Sequence, residues 1–115
     1  MNLWPGAKLE NTVACALLRE LHLIEDTTGS RVALHYLRDK EKHEVDFLPV
    51  VDHRPCCMVE VKVDDENFSP SLFRFHNKLN KARPLQIVYS LKHKKSKDSA
   101  RMLPAHEFLR DFQLS

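Results

Sequence analysis

Apolar residues recur along this chain at two periods. Leu9, Val13, Leu17 and Leu21 are spaced by four, with Ala14, Ala16 and Leu18 among them. That spacing gathers one apolar stripe and predicts an amphipathic helix from about Ala7 to Leu23. Thr27-Thr28-Gly29-Ser30 reads as a turn. The period then falls to two. Val32, Leu34 and Tyr36 mark a strand over Arg31–Leu37. Asp39–Lys42 is a charged turn, and two further strands follow over Glu44–Val51 and Cys56–Val63. Ser69-Pro70 is a helix start, with Ser as cap and Pro at the first helical position. Leu72, Phe73, Phe75 (or His76) and Leu79 fill that helix. Pro84 precedes a fourth strand over Leu85–Leu91, Met102-Leu103 forms a short fifth, and a last helix runs over Pro104–Phe112. The order αβββαβ(β)α predicts an α/β or α+β domain with a mixed sheet of four to five strands flanked by helices. The strands before and after the second helix can lie parallel through a right-handed crossover.

A chain of 115 residues makes one domain, 1–115, with a single modest core. No apolar run approaches the roughly 18–20 residues of a membrane span. Met1-Asn2-Leu3-Trp4-Pro5 lacks the basic and apolar regions of a signal peptide, so a cytoplasmic location is expected. Trp4 is expected at a core edge or an interdomain contact. Cys15, Cys56 and Cys57 are odd in number and lack CxxC spacing, which argues against a disulfide framework and a zinc site and for free, buried thiols. The seven histidines form no i, i+3 or i, i+4 ligand pair. With glycine only at Gly6 and Gly29, there is no glycine-rich phosphate loop.

Charge is unevenly divided. Residues 1–70 hold 8 Lys/Arg and 13 Asp/Glu, a balance of −5; residues 71–115 hold 10 and 3, a balance of +7. An acidic half able to bind metal adjoins a basic half able to meet phosphate. Lys92, Lys94, Lys95 and Lys97 fall in a loop after the fourth strand. They are candidates for sequence-blind contacts to a phosphate backbone, or else belong to a solvated surface loop. Asp64-Asp65-Glu66 could attract metal but reads rather as a solvated turn.

The chemistry concentrates in two short segments, Glu44-Val45-Asp46 and Glu60-Val61-Lys62. Strand alternation puts Glu44 and Asp46 on one face, and Met58, Glu60 and Lys62 on one face. A hairpin centred on His53 sets Asp46 opposite Glu60 and Glu44 opposite Lys62. Directly opposed residues have Cβ atoms about 4.5–5.5 Å apart. Two carboxylates so close repel unless a cation compensates. Mg²⁺ or Mn²⁺, which prefer oxygen ligands, would do so, and so would Lys62. The bland reading is a polar outer face of a half-buried hairpin, where cross-strand Glu–Lys pairs are ordinary.

Four motifs in order carry a resemblance: Gly6-x-x-x-Glu10-Asn11-x-Val13, Tyr36-x-Arg38-Asp39, Glu44-Val45-Asp46-Phe47-Leu48 and Val59-Glu60-Val61-Lys62. Ile87-Val88-Tyr89 and Leu103-Pro104-x-x-x-Phe108-Leu109 also fit. The chain, from Gly6 to about Phe108, resembles the C-terminal domain of unknown function that follows an AAA-type ATPase domain in many bacterial and archaeal proteins. That domain belongs to the PD-(D/E)XK, or restriction-endonuclease-like, superfamily. The resemblance implies a restriction-endonuclease-like αβββαβ core and a Mg²⁺- or Mn²⁺-dependent DNA phosphodiesterase. Asp46 and Glu60 would ligate the metal, with the Val61 carbonyl on the same ion and Glu10 reaching it through a water. Lys62 would orient the attacking water and offset charge on the phosphorane. Val45 stands where the superfamily motif has Pro. The ATPase half is not part of this chain, so an ATPase domain or partner is an implied companion. The other function class is a catalytically inactive DNA- or protein-binding module that regulates an ATPase partner. A third is a dimeric scaffold.

Overall fold

The computed structural model describes residues 5–79 and 81–114; Trp4 lies outside them. Helix α1 (Pro5–Thr28) leads into strands β1 (Val32–Arg38), β2 (Glu44–Val51), β3 (Arg54–Pro55) and β4 (Cys57–Lys62). Helix α2 (Pro70–His76), strands β5 (Arg83–Val88), β6 (Lys95–Lys97) and β7 (Ala100–Pro104), and helix α3 (Ala105–Asp111) complete the chain. Among the described residues the strands form one mixed sheet in the order β1-β2-β4-β5-β7-β6, with β3 paired to β2. This is the expected α/β architecture of a mixed sheet flanked by helices. β4 and β5 run parallel, joined by the crossover that carries α2, and β5 and β7 also run parallel.

The sheet is covered on both faces. Leu9, Val13, Ala16 and Leu17 of α1 pack on Cys57, Val59, Val61, Leu85 and Ile87, where Phe108 of α3 joins them. Leu72 and Phe75 of α2 pack on Val45, Leu48 and Met58 from the other side. Double coverage explains why Cys57–Val61 and Pro84–Val88 are buried without interruption, since central parallel strands have no solvent face.

Helix α1 outlasts its apolar stripe. The Thr27 and Thr28 hydroxyls donate back to the Leu23 and Ile24 carbonyls at 2.8 and 2.6 Å. Gly29 then ends the helix at φ +73°, its N–H donating to the Glu25 carbonyl at 2.9 Å, a left-handed C-terminal cap. The expected turn at Thr27 therefore begins two residues later.

Other boundaries also moved. Pro84 lies inside β5, one residue after its start, where a missing N–H is tolerated. That strand stops at Val88 rather than Leu91. Leu79 packs on the core from beyond α2 rather than from within it. Met102-Leu103 is the centre of the five-residue β7. The basic segment expected as a loop is a hairpin: β6 pairs with β7 across a turn in which Asp98 adopts φ 54°. Cys57 is buried and Cys56 partly so, but Cys15 is exposed on α1, against the expectation of burial.

The β2–β4 connection is assembled in two steps. Asp52 and His53, at φ 50° and 65°, form a two-residue turn of the kind that matches strand twist. It pairs Val51 with Arg54 and Val50 with Pro55. Cys56 then donates its N–H to the Pro49 carbonyl of β2 at 2.9 Å while its own carbonyl accepts the Arg83 N–H at 3.3 Å, and beyond it Phe47 pairs with Val59. Between Pro55 and Val59 the register moves by one, to the register a turn centred on His53 would give.

Candidate functional site

Asp46 owes its position to a bulge. Along β1 and β2, His35 pairs with Leu48 but Leu37 pairs with Val45, so β2 carries one residue more than its partner between these points. Strict alternation would put Val45 and Phe47 on one face. Instead Val45 packs in the α2-side core and Phe47 against the α1-side core. A bulge of this kind re-aims the side chains that follow it.

The β2–β4 ladder opens beyond Phe47 and Val59. The Val61 N–H meets no backbone carbonyl of β2; it donates to Asp46 Oδ2 at 2.8 Å. The Lys62 carbonyl accepts the Tyr89 N–H at 3.0 Å on the β5 side. Strand alternation therefore turns the Val61 carbonyl toward β2, into the opening.

Glu60 is buried at 6 % exposure. Its carboxyl lies within hydrogen-bonding reach of Asp46. Desolvation, then hydrogen bonding and charge from Asp46, push its pKa up to about 8, against a smaller opposing effect of Lys62. Glu10 is exposed on α1, and its pKa is raised by partial desolvation and by Asp46, again opposed by Lys62. Lys62 is half-buried and makes no direct ion pair among the described residues. The four residues singled out in the sequence thus share one electrostatic neighbourhood. Glu44 instead pairs with Arg38 across β1 and β2 at 3.4 Å, and the described β2–β4 ladder does not extend to a Glu44–Lys62 pair.

Two residues that hold the site were not evident in the sequence. Gln86 is fully buried and is the parallel-ladder neighbour of Glu60. Its Oε1 accepts the Ser69 N–H at 2.8 Å and its Nε2 donates to the Asn67 carbonyl at 2.8 Å, pinning the segment between β4 and α2. Ser69 occupies the N-cap position of α2 but makes no side-chain cap bond. Its backbone N–H is held by Gln86 instead. The available signal was a lone glutamine in an otherwise apolar, doubly buried strand.

The four lysines stand apart from this cluster. Lys94 Nζ pairs with Glu107 at 3.0 Å. Lys95 Nζ lies 3.6 Å from the Glu66 carboxylate and donates to the Glu66 carbonyl at 3.1 Å. Lys97 sits 5.5 Å above the Phe73 ring, in cation–π range. Lys92 makes no ion pair among the described residues. Glu66, expected in a solvated turn, therefore anchors the basic hairpin. Asp39 of the Tyr36-x-Arg38-Asp39 motif is structural. It accepts the Glu41 and His43 N–H groups at 3.0 and 2.9 Å and the Arg74 Nε–H at 2.8 Å, tying the β1–β2 turn to α2.

Among the described residues, no three His, Cys, Asp or Glu side chains converge on a point that could hold a metal ion. The donors gathered here are two carboxylates and a backbone carbonyl. That oxygen set suits Mg²⁺, which commonly takes one or two carboxylates and keeps several waters. No helix of the described residues is long and apolar enough to cross a membrane.

A mixed sheet with a split ladder, a carboxyl pair in the split and a lysine beside it defines an α/β domain with one polar centre. The chain belongs to the family described as a domain of unknown function (DUF4143), whose model matches residues 5–108. No curated protein and no solved structure matches the chain.

Proposed function

We propose that this domain is a restriction-endonuclease-like phosphodiesterase that cleaves DNA with Mg²⁺ or Mn²⁺. The observation that carries this reading is the Asp46–Glu60 carboxyl pair, held within hydrogen-bonding reach where the β2–β4 ladder opens, with the Glu60 pKa at about 8. A buried pair of acids must retain a proton or gain a cation. Asp46, Glu60 and the Val61 carbonyl would hold the ion, with Glu10 behind them through a water. When bound, the ion supplies Lewis acidity toward water and phosphate.

The chain's own residues divide the remaining work. The Val61 N–H fixes the Asp46 carboxylate, and Gln86, the ladder neighbour of Glu60, pins the Asn67–Ser69 segment beside the site. Among the described residues Lys62 has no carboxylate partner to hold its ammonium group, so it can orient a water for attack on phosphorus and stabilise charge developing on the phosphoryl oxygens. The bond formed is phosphorus to water oxygen, and the bond broken is phosphorus to one ester oxygen, which leaves and takes up a proton.

The test is metal-dependent cleavage of DNA by wild type, Lys62→Ala and Asp46→Asn. The expected result is cleavage that needs Mg²⁺ or Mn²⁺. Lys62→Ala should lose at least about 100-fold in rate while still binding Mn²⁺, and Asp46→Asn should lose both properties. Equal cleavage by all three, or Mn²⁺ binding by wild type with no cleavage of any DNA, would overturn the reading. The second outcome would leave a binding module.

A further inference from the structure

In the sheet order two exposed tyrosines lie on either side of the strands that carry the acids, and the reaction does not use them. Tyr36 is 69 % exposed and Tyr89 66 %. Neither ring stacks on another aromatic among the described residues. Tyr36 falls in the gap of the β1–β2 register, opposite the bulge that aims Asp46. It lines a groove of about 400 Å³ together with Leu34, Phe47 and Asp46 itself. Tyr89 stands on the other side, its N–H bonded to the Lys62 carbonyl. It lines a second groove of about 380 Å³ with Lys8, Leu9, Val63 and His106. Leu9 and Val63 are the chain neighbours of Glu10 and Lys62. In the sheet order, Tyr36 is on β1, the acids are on β2 and β4, and Tyr89 follows β5. Three strand spacings span roughly 14 Å, so each ring stands about one strand to the side of the acids.

We infer that the two tyrosines are stacking platforms for unpaired bases on either side of the phosphate held at Asp46 and Glu60, which makes the substrate single-stranded DNA. This rests on the phosphodiesterase reading and names its substrate class. A tyrosine face open to solvent costs a protein apolar exposure. Set in a groove beside a phosphate-directed site, it matches the aromatic platforms on which single strands lay their bases. A base inside a duplex is already stacked on both faces and cannot use such a platform. The cation distribution agrees. Lys94 and Lys95, on the basic hairpin that could have tracked a duplex backbone, are engaged with Glu107 and Glu66. Lys8 and His106 instead lie in the Tyr89 groove, close to where the next phosphate would pass. The Tyr36 groove, walled by Glu44 and Asp46, repels phosphate but accepts an uncharged base face.

The test is fluorescence anisotropy with a labelled oligothymidylate and a labelled duplex of mixed sequence. The protein is the full chain carrying Asp46→Asn and Glu60→Gln, in which the acids neither cut nor repel. It is compared with versions that also carry Tyr36→Ala, Tyr89→Ala or either Tyr→Phe, with circular dichroism confirming the fold. The single strand is expected to bind more tightly than the duplex. Each alanine should weaken it about tenfold, the size of one base–aromatic stack, and each phenylalanine should preserve it. Duplex binding equal to or tighter than single-strand binding, no single-strand binding, or alanine variants that bind like their parent would overturn the inference. Tyrosine-dependent binding by a protein that never cleaves would refute the phosphodiesterase and leave the platforms. Metal-dependent cleavage without tyrosine dependence would do the reverse.

Discussion

Glu60 has an environment that an ordinary surface carboxylate lacks. It is buried beside Asp46 and lies next to Gln86 in the ladder. Its pKa rises from 4.5 to about 8 in the folded protein. Between those values the metal-free folded chain keeps a proton that the unfolded chain has lost. Stability is therefore full below the lower value, falls as pH rises through the window and levels off above about 8. Urea midpoints measured across the window should show this decline in wild type and a shallower one in Glu60→Gln, where Glu10 with its raised pKa remains. Gln86→Ala removes the acceptor of the Ser69 N–H and the donor to Asn67. The cost should be about 1–3 kcal/mol in urea unfolding, with a weaker Mn²⁺ affinity as Glu60 loses its support. A purely packing role would change the first measurement and not the second. The hairpin register set Glu60 against Asp46, but the burial of Glu60 and its Gln86 neighbour were not legible from residue types. Glu-x-Lys is a weak pattern, Ser69 before proline reads as a helix cap, and a glutamine partner is decided by what the neighbouring strand presents.

Among the elements, apolar periodicity located the helices and most strands, because each buries at least one face against a layer. It failed where polar groups sustain structure. Thr27 and Thr28 prolong α1 through hydroxyl-to-carbonyl bonds, and no apolar stripe reports that. Gly29 carries the helix end, and at φ +73° with open space around its Cβ position the cost of a side chain is purely conformational. Gly29→Ala should lower stability by about 1–2 kcal/mol, read as a shift in thermal midpoint. The β2–β4 hairpin shows a subtler case. A turn centred on His53 anticipates the register at Phe47 and Val59, yet the chain reaches it through a tighter turn and a one-residue register shift between Pro55 and Val59. The bulge in β2 was not legible, since alternation assumes an unbroken strand. It separates Val45 from Phe47 and brings Asp46 beside the Val61 N–H. The Asp39 clamp on Arg74 joins two elements far apart in sequence. Partial desolvation opposes it, but the His43 backbone N–H and the Arg74 guanidinium hold the Asp39 carboxyl well below the usual carboxylate range. Its contribution is present above the ordinary aspartate pKa and is lost as pH falls below it, so Asp39→Asn should lower the thermal midpoint at neutral pH and have little effect in strong acid.

Across the whole molecule, the sheet carries its polar centre between two helical layers, with α1 bearing Glu10 on one side and the α2 segment bearing Ser69 on the other. The charge asymmetry seen in the sequence does not become two separate halves. Basic residues of the second half close onto acids of both halves, as in Lys95 with Glu66 and Lys94 with Glu107. The remaining electrostatic tension is local, at Asp46 and Glu60, and a divalent ion would relieve it. An ion bound only by the folded state should stabilise it by about 2.7 kcal/mol at a hundred times its Kd. The most direct measurement is calorimetric titration of the chain with Mn²⁺ at several pH values in buffers of different ionisation enthalpy. One site is expected, which tightens as pH rises toward 8, releases a proton as it fills, and disappears in Asp46→Asn. Binding that is indifferent to pH, or unchanged in Asp46→Asn, would contradict this expectation.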